Sequence, residues 1–212
     1  MARKGYDEGC LAAHALDLIG DRWALLVLRE LMLGPKRFGL IRAGLPGIAT
    51  NVLTQRLEDL QAAGLLQRQV LPPPSQAAVY ALTPAGAATR PILAALCLWG
   101  VQQPGHDPRK FISPTALMLS MSFLARANEA APIDVAFTLG VEPFLARLGA
   151  DGFTPVSTPA PVAPLHFRGD GNGLAAVIYG PAPLAMMVQS GMVQVDGDLT
   201  LGQRFVDHFA LR

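Results

Sequence analysis

Charge is scarce in this chain: only 16% of its 212 residues are Asp, Glu, Lys or Arg, whereas 51% are hydrophobic. That shortage excludes a disordered polyelectrolyte and implies a chain that folds around substantial cores. Cysteine is scarcer still. Cys10 and Cys97 lie far apart, without the paired spacing of a zinc site or a disulfide framework. His14, His106, His166 and His208 are dispersed, with no cysteine or carboxylate at ligand spacing, so no metal and no cofactor is expected. A Gly-x-Ser-x-Gly elbow, a phosphate-cradling Gly-rich loop and a dinucleotide fingerprint are also missing, and no enzyme is expected. No apolar stretch of signal-peptide length precedes Asp17, so the chain is expected to be cytoplasmic. Residues 171–195 carry no charge, but Gly173, Gly180, Pro181, Pro183 and Gly191 interrupt them too often for one membrane-spanning helix.

What charge there is lies unevenly. Residues 1–110 hold 12 Lys/Arg against 8 Asp/Glu, and residues 111–212 hold 5 against 8. The basic excess accompanies the most patterned stretch, Gly34 to Thr83. A first helical pattern spans Cys10 to Ile19. A second runs from Arg22 to Met32 behind Asp21 as N-cap, and Gly34-Pro35 ends it. Lys36 and Arg37 open a short helix buried through Phe38, Leu40 and Ile41, and Gly44-Leu45-Pro46-Gly47 makes a turn. On the next helix Leu53, Leu57 and Leu60 form one stripe, with Thr50, Asn51, Thr54, Gln55 and Glu58 opposite.

Gly64 stands where a left-handed helix-terminating residue belongs, with Leu65 closing the cap. Leu66, Arg68 and Val70 then predict a strand, residues 72–76 a Pro-rich tip, and Val79 to Leu82 a returning strand. Together these elements predict a winged helix-turn-helix, which presents one polar helix face to a DNA major groove. Thr83-Pro84 starts a helix containing Ile92, Leu93, Leu96 and Trp99. The segment from Gly100 to Lys110 lacks apolar periodicity and marks the domain boundary. We therefore expect a mainly α domain with a small β wing at 1–102, a linker at 103–112 and an α+β domain at 113–212. In the last, a helix over 115–128 precedes strands at 133–139, 142–148, 153–156 and 165–168, which suggest a small antiparallel sheet with an apolar core or pocket. Helices over 172–179 and 183–190, a strand over 192–195 and a helix after Asp198 complete it.

The motifs Asp21-Arg22-Trp23, Lys36-Arg37-Phe38, Gly47-Ile48, Leu53-Thr54-Gln55-Arg56-Leu57, Gly64-Leu65-Leu66, Tyr80-Ala81-Leu82-Thr83 and Gly86 resemble the HxlR-type branch of winged-helix regulators. The resemblance covers about residues 5–102. It implies a homodimer packed through the Cys10 and Trp99 helices, regulation of transcription, and double-stranded DNA as partner, read as a pseudo-palindromic operator. Thr50, Asn51, Thr54 and Gln55 would meet base edges or phosphates, and Lys36, Arg37, Arg42 and Arg56 would neutralise phosphates. The plain alternative is a solvated helix face, because every surface helix has one. Two departures stand out. Ala49 occupies a position where the family often has a capping Ser, leaving capping to Thr50, and the wing tip has no Lys or Arg.

The distal half resembles the sterol-carrier-protein type 2 fold through Phe167-Arg168-Gly169-Asp170, the Gly180 break, Ser190 to Val195 and Asp196-Gly197-Asp198-Leu199. That implies a small sheet backed by helices around an apolar cavity, used for binding a small hydrophobic ligand or for supporting a dimer. Met118, Met121, Phe137, Met186, Met187 and Met192 are candidate pocket residues, with ordinary core packing as the alternative reading. Cys10, near a helix start, is a candidate sensor through a dipole-favoured thiolate, with Arg3 and Lys4 close in sequence; the alternative is a small interface residue. Cys97 reads as packing. A non-regulatory role, a lipid carrier dimerising through its winged helix, stands beside the regulator reading.

Overall fold

The computed structural model describes residues 5–73, 75–126 and 131–209. The chain divides into two compact units, Met1–Leu93 and Ala94–Arg212. The first unit begins with α1 (Leu11–Ile19), α2 (Ala24–Leu31), α3 (Phe38–Ala43) and α4 (Thr50–Ala62). Strands β1 (Leu66–Val70) and β2 (Ala78–Leu82) and the short α5 (Pro84–Ala87) follow, and α6 (Arg90–Gly100) runs across the division.

Helix α2 starts later than the sequence suggests. Asp21 Oδ1 accepts the Trp23 N–H at 3.1 Å in a local turn, leaving Trp23 as N-cap without a side-chain bond. The end of α4 follows its sequence signal. Gly64 has φ +70°, Leu65 N–H donates to the Leu60 carbonyl at 2.9 Å, and Gly64 N–H donates to Gln61 at 3.0 Å. This double closure satisfies the Leu60 and Gln61 carbonyls at the helix end, with glycine taking the left-handed position at no steric cost. Leu28, Ile41, Leu45, Leu53, Leu57 and Leu60 share one buried cluster, so the stripe on α4 is the face that docks on α2 and α3.

β1 and β2 pair antiparallel from Leu66↔Leu82 to Val70↔Ala78. The pair is tied to the helices at both ends. Lys36 and Tyr80 exchange backbone bonds of 3.0 and 2.8 Å, and Thr83 Oγ1 donates to the Gly64 carbonyl at 2.6 Å while accepting Gly86 N–H at 3.1 Å. The start of α3, the end of α4 and the hairpin are therefore fixed to one another.

The second unit holds α7 (Pro114–Leu124), β3 (Ile133–Leu139), β4 (Glu142–Gly149), β5 (Gly152–Ser157) and β6 (Leu165–Gly169), then α8 (Gly171–Tyr179), α9 (Leu184–Gln189), β7 (Gln194–Asp196) and α10 (Leu199–Val206). α7 is shorter than expected, and the end of the expected helix lies outside the described residues. The sheet order is β5-β4-β3-β6-β7, and the sheet is mixed, whereas the sequence pattern suggests an antiparallel one. The chain leaves edge strand β5, crosses to the far side of β3 and runs β6 parallel to it, from Val135↔Leu165 to Leu139↔Gly169. Phe137, Phe153, Phe167, Phe205 and Phe209 interlock on the covered face; Phe137 and Phe167 stack at 5.6 Å between centroids, and Phe205 and Phe209 approach to 5.1 Å. Among the described residues no helix is long and apolar enough to cross a membrane.

Candidate nucleic-acid interface

The candidate interface starts at α4. Because Leu53, Leu57 and Leu60 turn inward, Thr50, Asn51, Thr54, Gln55 and Glu58 are all exposed on the opposite side. Thr54 Oγ1 donates to the Thr50 carbonyl at 3.0 Å, which holds its methyl and hydroxyl against the helix. Gln55 Nε2 donates to Asp59 Oδ1 at 3.0 Å. Thr50 does not take over the cap. Ala49 is the N-cap, with extended backbone and no side-chain bond, and Thr50 is the first helical residue.

The four expected phosphate ligands divide into two pairs. Arg37 and Arg42 are exposed, at the N-cap and in the last turn of α3. Arg37 Nη2 donates to Ser75 Oγ at 3.0 Å, which brings a guanidinium to the tip of the hairpin that has no cation of its own. Lys36 and Arg56 face inward. Lys36 is only 6% exposed, and its ammonium donates to Glu30 Oε2 at 2.9 Å. Arg56, 9% exposed, spans Asp21 at 2.6 Å and Asp59 at 3.0 Å. Its helical position beside the Leu53 stripe is the sequence signal for this inward turn. No local signal announced the partner of Lys36, because Glu30 lies on the preceding helix.

Glu30 organises the turn between the two motif helices. Its carboxylate is fully buried, takes Arg29 Nη2 at 2.8 Å and Lys36 Nζ at 2.9 Å, and lies against Gly44. A Cβ at position 44 would press on that carboxylate and push it away from its two cations. Arg68 on β1 and Arg22 beside Trp23 are further exposed cations, with the Arg22 guanidinium 5.5 Å from the ring centroid. Strand alternation would place Arg68 on the face of buried Leu66, so its exposure comes from β1 leaving the core after Leu66 and was not signalled by the sequence.

The candidate sensor Cys10 is exposed at the N-cap of α1. The backbone N–H groups of Ala13 and Ala12 at the helix start favour the thiolate and lower its thiol from the usual cysteine range, although the thiol makes no capping hydrogen bond. Arg3 and Lys4 lie outside the described residues. Cys97 is half-buried near Tyr179, whose phenol burial pushes up to about 12 despite a 2.9 Å bond with Ser120 Oγ. The candidate pocket residues differ in burial, and none of them lines the cleft of the second unit. Met118, Met121 and Phe137 are fully buried among core side chains, whereas Met186 and Met192 are exposed and Met187 is half-buried. A cleft of about 420 Å³ opens elsewhere in the second unit, between Ile178, the Gly180–Pro183 turn, Gln203, Val206 and Phe209.

The family model for the HxlR-like helix-turn-helix matches residues 18–107. A helix-turn-helix-type transcriptional regulator of Synechocystis is 39% identical over 87 residues, 41% of this chain and 64% of that protein. The Bacillus subtilis regulator YvaP is 35% identical over 88 residues, 42% of this chain and 82% of that protein. YodB, an HTH-type transcriptional regulator of the same organism, is 37% identical over 93 residues, 43% of this chain and 83% of that protein. The family model stops before α7, so it describes none of the mixed sheet.

Proposed function

The chain belongs to the HxlR-like helix-turn-helix regulators of transcription, and from that membership we propose that it works as a homodimer reading a pseudo-palindromic operator. The observation that carries this reading is the exposed polar face of α4, held by a leucine stripe on its other side and accompanied by the exposed cations Arg37 and Arg42 at the two ends of α3. α4 enters the major groove with Thr50, Asn51, Thr54 and Gln55 toward base edges, while Arg37 and Arg42 neutralise phosphates. The β1–β2 hairpin acts as the wing, its contact supplied by Arg37 through Ser75 and by Arg68.

Dimerisation uses α1 and α6. Leu11 is 86% exposed and Trp99 64%, and Leu16, Ile92, Leu96 and Leu98 are also exposed, apolar side chains that a second copy would cover. Residues 103–112 serve as the linker to the distal domain. Control enters by one of two routes. Thiol chemistry would act at Cys10, where exposure and a depressed thiol range favour reaction. A small hydrophobic effector would act in the distal domain, whose sheet backed by helices supports a sterol-carrier-like reading. In that case the cleft beside Ile178 offers space that the packed methionines do not.

A mobility-shift titration against duplexes from the region upstream of its own coding sequence tests the main reading. Binding should weaken steeply with salt, and Asn51→Ala/Gln55→Ala should abolish preference for one duplex over unrelated DNA. Equal affinity of the unaltered protein for every duplex would overturn it.

A further inference from the structure

Asp59 sits one turn beyond Gln55 on α4, with its side chain about one-third exposed, and divides its carboxylate between two partners. Oδ1 accepts from Gln55 Nε2 and Oδ2 from Arg56 Nη1, each at 3.0 Å. Arg56 in turn reaches Asp21 with its other nitrogen, so the carboxylate is anchored through Arg56 to the α1–α2 turn. An ionised carboxylate only accepts hydrogen bonds, so the amide of Gln55 must turn its NH₂ end toward Asp59. Oε1 and the remaining N–H are then displayed together on the exposed side. That pair matches the N6 donor and N7 acceptor of adenine in the major groove.

We propose that Asp59 is a positioning residue that fixes the amide of Gln55 for adenine at one base pair in each half-site, with Arg56 and Asp21 holding Asp59 in place. The inference rests on the DNA-reading role given to α4. The arrangement also solves an electrostatic problem. A carboxylate near the reading face would repel phosphates, and Arg56 neutralises it at its buried side. Removing Asp59 therefore has two effects of opposite sign: Gln55 is freed to rotate, and local attraction for the DNA backbone rises.

The full chain is first used to select binding sites from random-sequence duplexes, and the enriched duplex and its single-base variants are then titrated. Asp59→Ala should discriminate about tenfold less at one A·T pair per half-site, while its affinity for unrelated DNA stays level or rises. A loss of folding would lower both, and unchanged thermal unfolding checks this directly. Asp59→Glu, which keeps a carboxylate on that turn, should recover much of the discrimination. In a Gln55→Ala background, Asp59→Ala should remove no further discrimination, because Asp59 acts only through Gln55. Unchanged discrimination in Asp59→Ala, or additive losses in the double variant, would overturn the inference while leaving the DNA reading intact. If the unaltered chain enriches no sequence at all, the DNA reading falls and takes the inference with it.

Discussion

Lys36 and Arg37 are neighbours with the same formal charge and opposite roles. Their sequence, Lys36-Arg37-Phe38, gives both the look of phosphate ligands at a helix start, and only the fold separates them. Lys36 turns under the hairpin to Glu30, whereas Arg37 stays in solvent against Ser75. Arg37→Ala should flatten the dependence of DNA affinity on salt by about one counterion, and Lys36→Ala should leave that slope unchanged. Glu30→Ala should instead appear in denaturant unfolding, costing about 3–5 kcal/mol because it strips a buried cation of its carboxylate. Arg56 was more legible than Lys36. Its position beside Leu53 and Leu57 already pointed inward, and Asp59 lies one turn on along the same helix, although its other partner, Asp21, depends on how the α1–α2 turn meets α4. Residue type reports charge; the partner across a tertiary contact decides whether that charge reaches a ligand.

Among the elements, α4 was the most legible in sequence, because its stripe, its polar face and its Gly64 stop all act within a few residues. Its start was less so, and Ala49 leaves the first-turn N–H groups without a side-chain acceptor. Since Ala49 already has the extended backbone of an N-cap, Ala49→Ser should stabilise the first unit by about 1 kcal/mol, read as a raised midpoint in thermal unfolding. The distal sheet shows the complementary limit. Alternation revealed β3, and turn signals placed β4, β5 and β6, but pairing β6 beside β3 in parallel is a property of the crossover after β5. No local pattern in either strand encodes its neighbour. Methionine is ambiguous in sequence for a similar reason, since a flexible apolar side chain fills a core, as Met118 and Met121 do, as readily as it lines a cavity.

For the whole molecule, the proposed dimer gives the exposed apolar residues of α1 and α6 a purpose that the isolated chain leaves open. Trp99→Glu should shift the protein from dimer to monomer in sedimentation and weaken operator binding by far more than binding to a single half-site. If the mass stays unchanged, α6 is not the interface. The buried acid beneath Gly44 also constrains how such a regulator can change over generations. A side chain at position 44 displaces the Glu30 carboxylate from its cations, and shortening Glu30 first strands Lys36. Each single step passes through a damaged protein, so the two positions are entrenched together. Comparison of lineages should find them altering jointly or hardly at all.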